Sequence, residues 1–327
     1  MRRREFIALI GSAAAVWPLP ARAQQTTPVI GFLDTRSNHG VGERMRAFHE
    51  GLKEAGFVEG ENLTVAYRWG EHRIDRLPDL AAELVRRNVA VIVTSGGPPA
   101  ALAAAAATST IPTVFLVGED PVRLGLVRSL ARPGGNRTGV NLVLNELEGK
   151  RLGLLRELLP QATRLAVLVN PADATNSATT LREVGAVARA FGMQVQVLNA
   201  STPREIDTAF ESIGRERPDA LFVGASAFMN IRRIQLVQLA AAHRLPAIYG
   251  LRESTEAGGL MSYGSDILDA YRQIAAYAGR ILKGAKPADL PVVQQSKFER
   301  VINLATARAQ GIAIPTALLA RADEVIE

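Results

Sequence analysis

Short apolar runs alternate with amphipathic stretches along most of this chain, a pattern typical of parallel β-strands joined by crossover helices. The run from Val89 to Val93 has no polar alternation, which favours a sheet covered on both faces. In the first half, the pattern predicts strands over 29–33, 63–67, 89–94, 113–117 and 139–143, and helices over 42–55, 77–87, 100–108 and 122–131.

The second half repeats this organisation. Residues 89–95 lead through an alanine-rich helix to a proline-opened strand at 111–115, and residues 219–226 lead through a second alanine-rich helix to 245–249. The echo predicts two similar lobes, although any two strand–helix–strand units share some likeness. Here, after residues 152–159, the pattern predicts strands over 165–169, 194–198, 220–223, 247–249 and 260–262, and helices over 179–191, 204–215, 231–243 and 271–282.

The predicted fold class is therefore α/β, with two Rossmann-like lobes built on parallel sheets, and 327 residues suit two such domains. The tail after Gly284 has an extended connector at 291–295, an apolar stretch at 301–304 and two short helical pieces that run to Glu327. It is too small to fold alone, so we expect it to cross between the lobes. Crossings near 144–146, 263–266 and 291–294 predict a three-segment hinge, with lobe 1 formed by 24–144 plus about 264–292 and lobe 2 by 145–263 plus about 293–327.

The first 23 residues have the composition of a signal peptide. Arg2, Arg3 and Arg4 precede an apolar stretch over 6–17, which is shorter than the ~20 residues that span a bilayer. Ala21-Arg22-Ala23 is a small-x-small cleavage site, so we expect cleavage after Ala23 and export to the periplasm. Arg3-Arg4-Glu5-Phe6-Ile7 resembles the twin-arginine motif, and a general-secretion signal with a chance arginine pair is the alternative.

Charge and cysteine content reduce the number of possible functions. The formal charge is +6, but residues 1–23 carry a net +3, and the remaining arginines are scattered rather than clustered, so no nucleic-acid partner is expected. The chain has no cysteine, which excludes disulfides, thiol catalysis, cysteine–metal sites and a lipidated-cysteine anchor.

Motifs of catalysis are missing from the sequence. There is no Gly-x-Ser-x-Gly elbow, no Walker loop and no Gly-x-Gly-x-x-Gly after the first strand. The four histidines are widely spaced and none has metal-ligand spacing with a carboxylate. We therefore expect a binding protein without catalytic residues, metal or cofactor, rather than an enzyme.

Polar residues at the carboxyl ends of the predicted strands form the candidate ligand site, because ligands of open parallel sheets bind at that edge. When two lobes face each other, their strand ends line one cleft. The candidates are Asp34, Thr94, Ser95, Gly96, Glu119, Asp120 and Asn141 in the first lobe and Asn170, Ser226, Tyr249 and Tyr263 in the second.

Several of these residues also have a purely structural interpretation. Ser95-Gly96-Gly97 before two prolines forms either an anion site for a carboxylate or a simple helix cap. Asp120 before Pro121 has the pattern of a cap, which leaves Glu119 free to pair with a ligand ammonium. Tyr249 and Tyr263 either stack on a ligand side chain or pack at the rim between lobes.

Six segments of the chain resemble a known family. They are residues 92–96, 111–112, 120–122, 125–136, 281–291 and 320–324. Together they are similar to the ABC transporter substrate-binding family of the tryptophan/tyrosine-transport-like type, which is related to the type I periplasmic binding proteins. The resemblance leads us to expect a small residue where this chain has Arg123. An Arg123 side chain in the cleft would indicate a ligand with extra negative charge.

The resemblance implies a monomeric periplasmic protein that captures a small amino-acid-like or carboxylate solute by hinge closure. It also implies delivery of the solute to an ABC permease in the inner membrane. The alternative is an extracytoplasmic sensing module that shares the fold and reports to a signalling partner.

Overall fold

A computed structural model describes residues 27–327, apart from the side chains of Asn145 and Glu146. The predicted signal peptide and its cleavage site lie outside the described residues. The first sheet has six parallel strands in the order β11-β5-β4-β3-β1-β2. Its strands are β1 (Val29–Asp34), β2 (Thr64–Trp69), β3 (Val91–Ser95), β4 (Thr113–Val117), β5 (Arg137–Asn141) and β11 (Val293–Gln294).

The second sheet has seven strands in the order β13-β12-β10-β9-β8-β6-β7. Its pairs are parallel except for β10 with β12. In each sheet the first strand lies between the second and the third, so the two lobes share one topology, as the sequence echo predicts. The strands are β6 (Arg164–Val169), β7 (Gln194–Asn199), β8 (Ala220–Val223), β9 (Ala247–Tyr249), β10 (Met261–Ser265), β12 (Phe298–Asn303) and β13 (Glu324–Ile326).

Helices cover both faces of each sheet. On the first, α1 (Gly42–Glu54) and α10 (Ile267–Leu282) pack on one face, and α2 (Leu77–Arg86) and α3 (Pro98–Ala107) on the other. Alternate residues of β3 serve the two layers, since Val91 and Val93 face α1 and α10 while Ile92 faces α2 and α3. The helices of the second lobe are α4 (Glu148–Leu158), α5 (Ala174–Ala190), α6 (Pro203–Glu216), α7 (Ala227–Ile231), α8 (Arg233–Ala242), α9 (Arg252–Glu256), α11 (Leu304–Gln310) and α12 (Thr316–Leu319).

The chain passes between the lobes three times, through 142–147, through Asp266 and through 295–297. These segments are hydrogen-bonded to one another. Ser265 Oγ donates to the Leu142 carbonyl, Gln295 N donates to the Asn141 carbonyl at 2.8 Å, and Gln295 Nε2 donates to the Asp266 carbonyl at 3.1 Å. The lobes are thus joined by one compact, bonded hinge.

Two secondary-structure predictions are wrong. Residues 122–131 form successive turns instead of a helix, because Gly125 adopts a left-handed φ of 71° and the chain closes turns onto Asp120 and Pro121. The last residues form strand β13 beside β12 rather than a helical piece. No helix within residues 27–327 has the length and apolar character needed to cross a bilayer.

Candidate functional site

A cavity with about 850 Å³ of empty space, counting its open mouth, lies between the lobes at the carboxyl ends of the strands. The first lobe contributes helix α1 and the turns after β1, β3 and β4. The second lobe contributes the turns after β6, β8 and β9. Helix α10 lines the cavity on the side of the hinge. Polar lining residues are Arg36, Arg44, Ser95, Glu119, Asp173, Asn176, Ser226, Asn230, Tyr249, Ser254 and Tyr271. Apolar lining residues are Leu116, Leu142, Leu144, Val223, Met229, Leu251 and Ile267.

A buried hydrogen-bonded network forms the first-lobe wall. Arg36 Nε donates to Asp34 Oδ1 at 2.8 Å, and Arg36 Nη2 donates to Ser95 Oγ at 3.0 Å and to Tyr271 OH. Ser95 Oγ lies 2.5 Å from Tyr271 OH. Burial alone would raise the pKa of Asp34, but the Arg36 guanidinium holds it below its usual value. The charge of Arg36 is therefore matched by Asp34, and this wall is close to neutral.

Two carboxyl groups meet in the cavity from opposite lobes. Glu119 follows β4 and Asp173 precedes α5, and both line the cavity. Glu119 is only 5% exposed, and its Oε1 has no hydrogen-bond partner within the described residues. Burial raises the pKa of Glu119 to about 7, Asp173 adds to the rise and Arg123 opposes it. Burial also raises the pKa of Asp173. This end of the cavity is suited to a cationic group.

Three further buried polar atoms at the cavity lack a hydrogen-bond partner among residues 27–327. They are Asn176 Oδ1, Asn230 Oδ1 and Tyr249 OH. The Asn176 amide nitrogen donates to the Ala225 carbonyl, which fixes that side chain. Burial raises the pKa of Tyr249, so its hydroxyl stays protonated. Buried polar atoms are normally satisfied, so these atoms indicate hydrogen bonds to a bound molecule or to water.

An ion pair joins the lobes at the cavity. Arg44 Nη2 of α1 lies 2.9 Å from Glu253 Oε1 of α9, and the two side chains are 8% and 21% exposed. Burial would raise the pKa of Glu253, but Arg44 holds it below its usual value. Because this pair spans the cleft, it stabilises the closed arrangement of the lobes.

Five of the eleven residues predicted for the site line this cavity: Ser95, Gly96, Glu119, Ser226 and Tyr249. Gly96 has a φ of 82°, and a Cβ there would lie 2.2 Å from Thr35 Oγ1, so the turn after β3 requires glycine. Ser226 caps α7 by accepting from Met229 N at 3.1 Å. Pro98 and Pro99, which begin α3, have no N–H, so this turn has fewer donors than an ordinary helix start.

The other six predicted residues do not line the cavity. The Asp34 carboxylate accepts hydrogen bonds from Arg36, and Thr94 is fully buried. Short polar side chains that follow strands tend to cap their own turns. Accordingly, Asp120 accepts from Val122 N at 2.8 Å, Asn141 from Val143 N at 2.9 Å, and Asn170 from Ala172 N at 3.1 Å. Tyr263 instead packs at the rim of the second lobe, against Phe298 and the Arg300 guanidinium.

Residues missing from the prediction lie on helices rather than at strand ends. Arg44 is on α1, Asn176 on α5, Asn230 on α7 and Tyr271 on α10. Each lies within the first turns of a helix that follows a strand end. A prediction extended from the strand ends into the following helices would therefore have included these residues. Arg36 and Asp173 belong to segments that the strand-end argument reached.

Arg123 lies outside the main cavity. It lines a neighbouring cavity together with Leu124 of its own turn and Thr179 and Arg182 of α5. Gly118 and Glu119 line both cavities, so the two adjoin at Glu119. Arg123 therefore acts on the site through its effect on Glu119, and its position gives no support for extra negative charge on a ligand in the main cavity.

The chain is similar to known solute-binding proteins. A tyrosine-binding protein of Clostridioides difficile (strain R20291) is 25% identical over 264 residues, which cover 81% of this chain and 75% of that protein. A conserved domain protein of Vibrio cholerae O1 biovar El Tor is 27% identical with a TM-score of 0.83. An ABC domain of Streptococcus pneumoniae in complex with L-Trp is 26% identical with a TM-score of 0.82. Each of the two structures is matched over 92% of this chain and 100% of the other.

A match to a family profile over nearly the whole described chain identifies the family. The sequence profile of the family ABC transporter substrate binding protein matches residues 30–326, nearly all of the described chain. The predicted α/β fold with two Rossmann-like lobes is confirmed. The chain belongs to the ABC transporter substrate-binding protein family and has the type I periplasmic binding protein fold.

Proposed function

We propose that this protein captures a zwitterionic amino acid with an apolar or aromatic side chain between its lobes and delivers it to an ABC permease of the inner membrane. The observation that carries the proposal is a buried cavity in which carboxyl groups of both lobes, Glu119 and Asp173, face apolar walls. The family supplies the transport role.

The carboxyl pair supports recognition of an ammonium group. A ligand ammonium next to Glu119 and Asp173 would compensate their charges and give Glu119 Oε1 its missing partner. A plain carboxylic acid would add a further negative charge to the same buried space, which is costly. The cavity should therefore select amino acids against acids of the same shape that lack the amino group.

The walls support an apolar or aromatic side chain. Leu116, Leu142, Val223 and Met229 line the cavity from both lobes, and the ring of Tyr249 adds an aromatic surface. Among similar proteins, one is a tyrosine-binding protein and another was solved in complex with L-Trp. Tryptophan and tyrosine are thus the first ligands to test.

Location and assembly complete the proposal. Residues 1–23 would direct export and be cleaved after Ala23, leaving the mature chain as a periplasmic monomer. Closure would bury the ligand and bring surfaces of both lobes into the arrangement that the permease recognises. The Arg44–Glu253 pair supports this, since it forms only when the lobes are together.

A thermal-shift screen of the mature chain tests the function. We expect a subset of apolar and aromatic L-amino acids to raise the melting temperature, because a ligand that binds only the folded state adds about 2.7 kcal/mol of stability at a hundredfold excess over its Kd. Sugars and carboxylic acids without an amino group should have little effect. Stabilisation by those compounds alone would contradict the proposal.

A further inference from the structure

The second-lobe wall of the cavity is backed by a buried guanidinium. Arg151 of α4 is 1% exposed, and its Cζ lies 5.0 Å from the centroid of the Phe222 ring. In front of it stands Gly250, which lines the cavity. A Cβ on Gly250 would lie 2.7 Å from Arg151 Nη1 and 3.8 Å from the Cβ of Ala225, another lining residue. Gly250 thus lies between the guanidinium and the cavity, and Ala225 lies beside Gly250.

The counter-charge of Arg151 lies on its other side. Arg151 Nη2 stands 2.8 Å from Glu148 Oε1, and Thr180 Oγ1 donates to the same oxygen at 3.0 Å. Arg151 is within ion-pair distance of Glu148, but its Nε, Nη1 and Nη2 have no hydrogen-bond partner within the described residues. A buried ion pair with so few hydrogen bonds is a poor source of stability. Its position behind the cavity wall points to a role in binding.

We propose that Arg151 is a positioning residue that makes the Ala225–Gly250 wall electropositive and thereby directs the ligand's carboxylate to that wall. The inference rests on the proposed function, because it assigns the second charged end of the zwitterion. The ammonium end lies towards Glu119 and Asp173. Asn176 connects the two regions, since its amide nitrogen donates to the Ala225 carbonyl and its amide groups lower the pKa of the neighbouring Asp173 carboxyl against the effect of burial. The two ends are thus neighbours, as they are in an α-amino acid.

The absence of cysteine from the chain allows a test that needs no ligand. Ala225→Cys places a single thiol on the wall beside Gly250, which lies against Arg151, and the thiol pKa, read from the pH dependence of alkylation, reports the local potential. A nearby positive charge lowers such a pKa by about 1–3 units. We expect Arg151→Gln to raise the thiol pKa by about one unit, Arg151→Lys to restore it, and Glu148→Gln to lower it.

Opposite shifts of the thiol pKa in the Arg151 and Glu148 variants would distinguish an electrostatic role of Arg151 from a purely structural one. Loss of packing alone would shift the thiol pKa in the same direction in both variants, or in neither, and that result would overturn the inference. If Arg151→Gln fails to fold, Arg151→Met, which keeps the apolar stem and removes the charge, takes its place, and an unchanged thiol pKa in that variant overturns the inference. Leu102→Cys, on the exposed face of α3 in the first lobe, is the control whose thiol pKa should not respond.

Ligand binding gives a second readout. In the protein without introduced cysteine, Arg151→Gln should weaken binding of L-tryptophan about tenfold more than binding of L-tryptophanamide, which lacks the carboxylate. Equal losses would overturn the inference. Failure of the unmodified protein to bind any amino acid would contradict the proposed function instead, and the thiol titration would still decide the role of Arg151.

Discussion

Glu119 of the first lobe and Asp173 of the second lobe line one cavity, burial raises the pKa of both carboxyl groups, and Asp173 raises that of Glu119 further. Neither carboxyl has a salt bridge within residues 27–327. Two carboxyl groups without a cationic partner are unfavourable in the empty closed state and favourable in a closed state that contains an ammonium group. The pair therefore couples closure of the lobes to the chemistry of the ligand.

Removal of one carboxyl should reduce affinity for amino acids selectively. Glu119→Gln keeps the shape of the side chain but removes a charge that faces the ligand ammonium, so we expect amino-acid binding to weaken by about 2 kcal/mol, or roughly thirtyfold. Binding of the matching acid without the amino group should be unchanged or stronger. Titration calorimetry of both compounds checks this, and an equal loss for both would show that Glu119 does not recognise the ammonium.

Amino-acid binding should strengthen as the pH rises through 7. Glu119 has a pKa of about 7 in the ligand-free protein, and only its ionised form pairs with an ammonium. Between the ordinary carboxyl pKa and 7 the folded state holds more protons than the unfolded chain, so Glu119 makes the ligand-free protein less stable as pH increases. Ligand binding reverses this contribution and releases a proton.

The check is the thermal shift produced by one amino acid at pH 5.5 and at pH 8. The shift should be larger at pH 8 for the unmodified protein and nearly independent of pH for Glu119→Gln. Calorimetry in buffers of different ionisation enthalpy should detect the released proton. A shift that is larger at pH 5.5 would contradict the role of Glu119.

Loss of the pair between the lobes should speed ligand release. Glu253→Gln removes the partner of Arg44 across the cleft, so we expect a dissociation rate about three- to tenfold faster, with little change in the association rate. Stopped-flow measurement of both rates checks this. Arg73→Gln is the matched control, because it removes an exposed pair with Asp75 that lies within one lobe. Equal effects of the two variants would exclude a closing role for Arg44 and Glu253.

A methyl group at position 250 should destabilise the protein. Gly250→Ala places a Cβ 2.7 Å from Arg151 Nη1, and the Arg151 side chain is only 1% exposed and so has little space to shift; we expect a loss of about 1–3 kcal/mol in the free energy of unfolding. Gly153→Ala on the helix of Arg151 is the control, since its Cβ meets no atom within 4 Å and should be neutral or stabilising. Urea unfolding of both variants measures these changes in stability. An unchanged free energy of unfolding in Gly250→Ala would mean that the Arg151 side chain moves aside at little cost.

The sequence predicts the lobes and their strands well because buried parallel strands form unmistakable apolar runs, as at Val91-Ile92-Val93. The secondary-structure prediction is wrong where one glycine determines the backbone conformation. At Gly125 a left-handed φ produces turns where the sequence pattern predicts a helix. For the site, strand ends point to the edge of the sheets at which the cavity lies but not to the direction of the side chains. Asn141 and Asn170 bond to their own turns, and Arg44 and Tyr271 reach the cavity from helices.

Buried charge behind the wall is the least predictable feature. Arg151 follows Lys150 in α4, and an arginine on a helix is expected to face solvent. Glu148 lies three residues earlier on the same helix, but Gly250 meets Arg151 only in the folded lobe. The contact with Gly250 has no signature in a single sequence.

The most direct test of the central claim compares one pair of ligands on the unmodified mature protein. Titration calorimetry should measure the amino acid that stabilises the protein best and the same compound without its amino group, for example L-tryptophan and indole-3-propionate. The amino acid should bind at least about a hundredfold more tightly, because only it compensates Glu119 and Asp173. Equal affinities for the two compounds would contradict recognition of a zwitterion in this cavity.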